Sequence, residues 1–213
     1  DGKLVTGVQW SRNGTRHTAH ARREVILCGG TFSSPHLLMA SGIGPALHLR
    51  DMGVEVTHEL AGVGENLQDH FGIGLEFEST LKTTVNDLYN NKLRGGLQLL
   101  RYFLFRSGPF ADNGNYSNTF VHSSNDIPTP DMMVTFMAWC TTEDLIPRPF
   151  SGFTILAEHM RPQSRGHVRL KGPDVRTDPA IQFHFFEHEA DHPAAIAGLR
   201  LGCLLYPSDA ADE

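Results

Sequence analysis

A chain of 213 residues, 40% hydrophobic and 20% charged, has room for one or two domains and a substantial core, as an ordinary globular protein does. A formal net charge of −6, without any extended lysine- or arginine-rich patch, argues against a nucleic-acid partner. No apolar run approaches the roughly 20 residues that span a bilayer, so no transmembrane segment is expected.

Residues 4–10 alternate apolar and polar, as a half-buried strand does, and Asn13-Gly14 after them is a strong hairpin signal. A second strand is predicted from about Thr15 to Arg22. Residues 24–28 form a continuous apolar run closed by Gly29 and Gly30, the pattern of a strand buried on both faces of a parallel sheet. Ser33, Ser34 and Pro35 then read as a capped helix start, with Ser41-Gly42 as its end. A second short helix is predicted over 45–52, closed by Gly53, and a strand over 54–58. The glycine-rich stretch 62–70 follows.

After residue 70 the texture changes. Residues 73–78 alternate like an antiparallel strand. Residues 86–106 read as an amphipathic helix, with Leu93, Leu97, Leu100, Leu104 and Phe105 at helical spacing. Segments 132–139, 153–160 and 167–170 look like three strands of one antiparallel sheet, and a helix is expected from Pro193 to Leu201. The fold class is therefore α/β followed by α+β, with a boundary near residue 72.

One stretch is specific. Residues 30–44, GTFSSPHLLMASGIG, fit the second signature of the glucose–methanol–choline (GMC) oxidoreductase family at every fixed position. Residues 62–70 (GVGENLQDH) resemble its choline-dehydrogenase-like members, as do residues 161–170 (RPQSRGHVRL) and the segment from Asp178 to His188. The resemblance runs from about residue 4 to 202, and the chain reads as an internal fragment of such an enzyme. It implies part of an FAD-binding, Rossmann-like domain over 1–72 and part of an antiparallel-sheet substrate domain over 73–202.

The cofactor implied is FAD. The implied reaction is oxidation of a primary or secondary alcohol to an aldehyde or ketone, with hydride passing to the flavin and electrons then to oxygen or a quinone-type acceptor. Cys28, Gly29, Gly30 and Ser34 would lie nearest the FAD. The residues themselves agree, because a strand ending in paired glycines admits a ligand to the backbone, and a helix start offers free N–H groups to an anion. No catalytic residue is assigned in the chain: the family's Gly-x-Gly-x-x-Gly turn would lie upstream and its catalytic histidine downstream. Gly62-Val63-Gly64 and Gly72-Ile73-Gly74 both lack the third glycine. The fragment alone is expected to be inactive, and residues 203–213 read as a non-native tail. Where choline-acting relatives carry a glutamate, Tyr116 stands here. The negative charge is lost but a cation–π face remains, so an aliphatic, aromatic or polyether alcohol is a better expectation than choline.

Two other readings compete. His188 to His192 form a His-Glu-x-x-His string, the zinc metallohydrolase pattern, which requires both histidines on one face of a continuous helix. Pro193 directly after it instead suits a helix start, with Asp191 as a candidate N-cap, so no metal is expected. A non-catalytic remnant or binding module of the same fold is the other. No Gly-x-Ser-x-Gly elbow marks a nucleophilic serine. Asp69 and His70 are read as hydrogen-bonding residues at the junction. Cys28, Cys140 and Cys203 are too few and too scattered for a disulfide framework, which points to a reducing compartment such as the cytoplasm, and Cys28 reads as a small buried hydrophobe.

Overall fold

A computed structural model describes residues 4–112 and 114–205, so most of the predicted tail lies outside the described residues. Chain contacts divide it into two units: residues 1–68 with 164–185, and residues 69–163 with 186–213.

The first unit opens with the hairpin of β1 (Gly7–Arg12) and β2 (Thr15–His20). Asn13 and Gly14 both take positive φ, 50° and 77°, the turn whose twist matches the two strands. Next come α1 (Gly30–Ala40), β3 (Ile43–Gly44), α2 (Ala46–Asp51) and β4 (His58–Glu59), with β3 and β4 in parallel. The second unit then takes over with β5 (Phe71–Glu78), α3 (Val85–Asn90), α4 (Lys92–Phe105), β6 (Asn115–Val121), β7 (Met132–Met137) and β8 (Gly152–His159). The chain returns to the first unit for β9 (His167–Arg169) and β10 (Ala180–Gln182), and to the second for α5 (Asp191–Leu204).

The core of the first unit joins the 39–67 region to the returning segment. Met39, Leu49, Val63 and Leu67 pack with Val168 and Leu170. Leu67 and Gly166 exchange backbone hydrogen bonds of 2.9 and 2.8 Å, and the Val168 N–H donates to the Gly64 carbonyl at 2.7 Å. The second unit is an antiparallel sheet in the order β5-β8-β7-β6, with α5 packed on β8, β5 and β7. Met132, Ala157 and Ala194 form one cluster of its core; Val134, Phe153 and Ile155 form another.

The structure corrects four sequence expectations. Residues 24–28 are not a buried strand: they pair with no strand among the described residues, and Ile26 is 74% exposed. An apolar run specifies burial only if a neighbouring strand is supplied, and periodicity is silent about that. Cys28, read as a buried hydrophobe, is exposed for the same reason. β9 does not join the sheet of β7 and β8; it pairs antiparallel with β10 in the first unit. Finally, residues 86–106 make two helices. Asn91 leaves helical geometry (φ −114°, ψ 93°), and its Oδ1 accepts from the Arg94 N–H at 3.1 Å, which starts α4 anew. α3 has its own capping box between Thr84 and Asp87.

Candidate functional site

In the first unit, α1 begins at Gly30, ahead of the predicted start at Ser33. Pro35 therefore lies inside the helix, and Ser34 does not cap it from outside. The Gly29 N–H donates to Ser34 Oγ at 3.1 Å, so the serine holds the segment entering α1 against its first turn. No side chain caps this helix, and no acidic residue sits in its first turn. Gly30 takes φ +72°, and nothing stands within 4 Å of where its Cβ would be. Cys28, Gly29 and Gly30 are all exposed, while Ser34 is half-buried. The four residues named from the sequence thus lie together, around orphan amides at the positive end of a helix. An anionic ligand fits there: backbone donors are available, and among the described residues no side chain blocks approach to Gly30.

Tyr116 belongs to the second unit, on β6 beside a bulge. It borders a cavity of about 800 Å³ whose floor is Val134, Phe136, Phe153 and Ile155, with Leu201 at one side. Ser79, Thr80, Thr83, Ser117 and Thr119 supply hydroxyls, and among the described residues no charged side chain lines it. Such a lining suits an uncharged, largely apolar molecule that can hydrogen-bond at one end.

The sequence reading missed a buried cluster in the second unit. His159, Asp131 and Asp191 are all buried, with His159 Nε2 3.9 Å from Asp131 Oδ2 and its Nδ1 3.9 Å from Asp191 Oδ1. Asp131 accepts from the Ser123 N–H at 2.8 Å and from Ser123 Oγ at 2.6 Å; Asp191 accepts from the Gln163 N–H at 2.7 Å. Asp191 is the first residue of α5 and not its N-cap, which is Ala190. Three residues so far apart in the chain leave no local pattern to find.

Burial pushes the His159 pKa below its ordinary value; Asp191 and Asp131 oppose this without reversing it, and His70 adds to the lowering. The folded imidazole therefore stays neutral where the unfolded one, with a pKa of about 6.5, takes a proton. Stability should fall as pH drops through about 6.5, because the unfolded state then binds more protons. Urea midpoints measured from pH 8 down to pH 5 test this, with a shallower fall expected in His159→Gln; parallel profiles for the two proteins would refute it.

His188 and His192 have separate local roles. His188 Nδ1 accepts from the Ala190 N–H at 3.2 Å, and His192 Nε2 lies 2.9 Å from the Phe186 carbonyl. Among the described residues, no group of three His, Cys, Asp or Glu side chains is placed to hold a metal ion. The Asp69 carboxylate accepts from the His70 N–H at 2.9 Å. Among the described residues, no helix is long and apolar enough to cross a membrane.

Comparison with known proteins agrees with the signature read from residues 30–44. Residues 1–72 match the family model for GMC oxidoreductases. The oxygen-dependent choline dehydrogenase of Brucella ovis is 37% identical over 194 residues, covering 90% of this chain and 35% of that protein. Its counterpart in Stenotrophomonas maltophilia is 33% identical over 204 residues, covering 94% of this chain and 36% of that protein. Among solved structures, a variant of Aspergillus oryzae formate oxidase, described for its FAD modification, superposes with a TM-score of 0.84 at 25% identity; the match covers 94% of this chain and 40% of that one. The fold is of mixed α/β architecture, and the solved structures and curated proteins it resembles are oxidoreductases. The chain is similar to GMC oxidoreductases, and it spans about a third of the length of the curated relatives it matches.

Proposed function

We propose that the chain is part of an FAD-dependent oxidoreductase that converts an alcohol to an aldehyde or ketone. The observation that carries this reading is the first turn of α1, uncapped and free of acidic side chains, with Gly30 open to close approach. Placed on a family signature, this anion-receptive turn is where the cofactor's charged part would lie, bordered by Cys28, Gly29, Gly30 and Ser34. When bound, FAD supplies the hydride acceptor; the reduced cofactor would pass its electrons to oxygen or a quinone-type acceptor. The chain's own residues do the binding. The α1 amides donate to the anion, and Ser34 fixes the position of Gly29.

Tyr116 and the uncharged cavity beside it are proposed as the substrate side. Among the described residues that lining has no carboxylate, which favours a neutral aliphatic, aromatic or polyether alcohol over choline. All three cysteines are free thiols, which suits the cytoplasm as the proposed compartment.

FAD titration followed by flavin fluorescence tests the cofactor site. Gly30→Val should weaken binding at least tenfold, about 1.4 kcal/mol. Gly53→Val serves as the control, since Gly53 has a similar φ of +75° and equally open surroundings but lies away from α1. Equal losses in the two variants would remove the basis for this placement.

A further inference from the structure

His48 stands in the middle of α2 and fastens it to the returning segment, 122 residues further along the chain. Its Nε2 accepts from the Leu170 backbone N–H at 3.0 Å. The neighbouring Leu49 has no exposed surface and shares the core cluster of the first unit with Val168 and Leu170. α2 thus holds the segment twice, through apolar packing that is indifferent to pH and a hydrogen bond that is not. An imidazole nitrogen accepts only while it carries no proton, so this bond fixes the ring as neutral, with its proton on Nδ1. Leu170 is 4% exposed, and a buried backbone N–H that loses its acceptor is costly.

The groups around the ring decide how it responds to acid. Burial pushes the His48 pKa below its ordinary value, and the Arg169 guanidinium lowers it further; Asp51 opposes them, His167 adds to the lowering, and Glu65 opposes again. Asp51 belongs to α2 itself, Arg169 and His167 to β9, and Glu65 to the stretch between Gly62 and Leu67. Glu65 is already engaged in an ion pair with Arg169. A proton on Nε2 would set donor against donor at the Leu170 N–H, with the Arg169 cation nearby. All of these contacts lie within the first unit.

We propose that His48 is an acid-released latch on the returning segment: neutral, it holds Leu170 to α2, and protonated, it lets Leu170 go. The folded ring takes up a proton less readily than the unfolded one, whose pKa is about 6.5. The hold is therefore complete above that pH and is lost as pH falls below it. Release is local, because the Val168 N–H stays on the Gly64 carbonyl, a bond without a titrating partner. The part set free is Leu170 and the connection from β9 to β10 that follows it.

Amide hydrogen exchange of the full chain between pH 8 and pH 5, corrected for the intrinsic rate, tests this. Protection at Leu170 should fall roughly tenfold more than protection at Val168, the effect of losing one buried hydrogen bond. His48→Gln supplies an acceptor oxygen that does not titrate, so the gap between the two amides should stay level across the range in that variant. Nitrogen-15 shifts of the parent imidazole should show the Nδ1–H tautomer at pH 8, a readout that needs no variant. An Nε2–H tautomer at pH 8, equal falls at Leu170 and Val168, or a pH course in His48→Gln that matches the parent would each overturn the proposal.

Discussion

Gly64→Ala should destabilise the first unit by about 3 kcal/mol or more, while Gly62→Ala, two residues away, stays within about 0.5 kcal/mol of the parent. Gly64 sits at φ +80°, where an L side chain is strained, and an added Cβ would stand 2.3 Å from the Val168 carbonyl oxygen. That oxygen is backbone and cannot swing aside. The Val168 N–H in turn donates to the Gly64 carbonyl at 2.7 Å, so any shift that relieves the clash loosens a core pairing as well. Gly62 has ordinary φ and nothing within 4 Å of its Cβ position. Hydrogen exchange at the Val168 and Leu67 amides reads the local effect. Equal protection in the two variants would show that the glycine is not needed for this approach.

Asp191→Ala is expected to cost the second unit about 3 kcal/mol. Asp191 has no exposed surface, it occupies the first turn of α5 where a negative charge meets the helix dipole, and it accepts from the Gln163 N–H at 2.7 Å. Truncation removes the charge and strands a donor. Asp191→Asn, which keeps an acceptor oxygen, should fall between alanine and the parent. Asp178→Ala, at an exposed position, should have little effect. The chain has two tryptophans, Trp10 in the first unit and Trp139 in the second. Urea unfolding followed by Trp139 fluorescence in a Trp10→Phe background therefore reports the second unit. A loss under 1 kcal/mol for Asp191→Ala would show that the buried carboxylate contributes little net stabilisation.

What the sequence made legible was local. The Asn13-Gly14 turn appeared as expected because positive φ at both positions is a property of those two residues and their neighbours. The end of α1 near Ser41 and the short α2 likewise follow from residues within one turn of each boundary. Two of the misreadings were non-local. Residues 24–28 and 167–169 have strand-like composition, yet whether a strand finds a partner, and in which sheet, depends on segments far away in the chain. The helix break at Asn91 was readable in principle, since asparagine is a strong N-cap. The leucine spacing runs through it, and the periodic signal outweighed the cap. At the candidate site, the signature brought Cys28, Gly29, Gly30 and Ser34 to one place, whereas Asp131, His159 and Asp191 carry no motif and meet only through the sheet and α5.

The return of residues 164–185 to the first unit has a consequence for synthesis. Met39, Leu49, Val63 and Leu67 cannot complete their core until Val168 and Leu170 leave the ribosome. At about 5–20 residues per second, translating the intervening hundred or so residues takes roughly 5–20 s. For that interval a nascent chain displays an unfinished apolar surface while the second unit is still emerging beside it. Closing so long a loop adds little entropic cost beyond that of a medium one, so the difficulty is one of timing. Newly made chains should accordingly depend on trigger-factor-like holding chaperones more than a protein whose units are each contiguous in sequence.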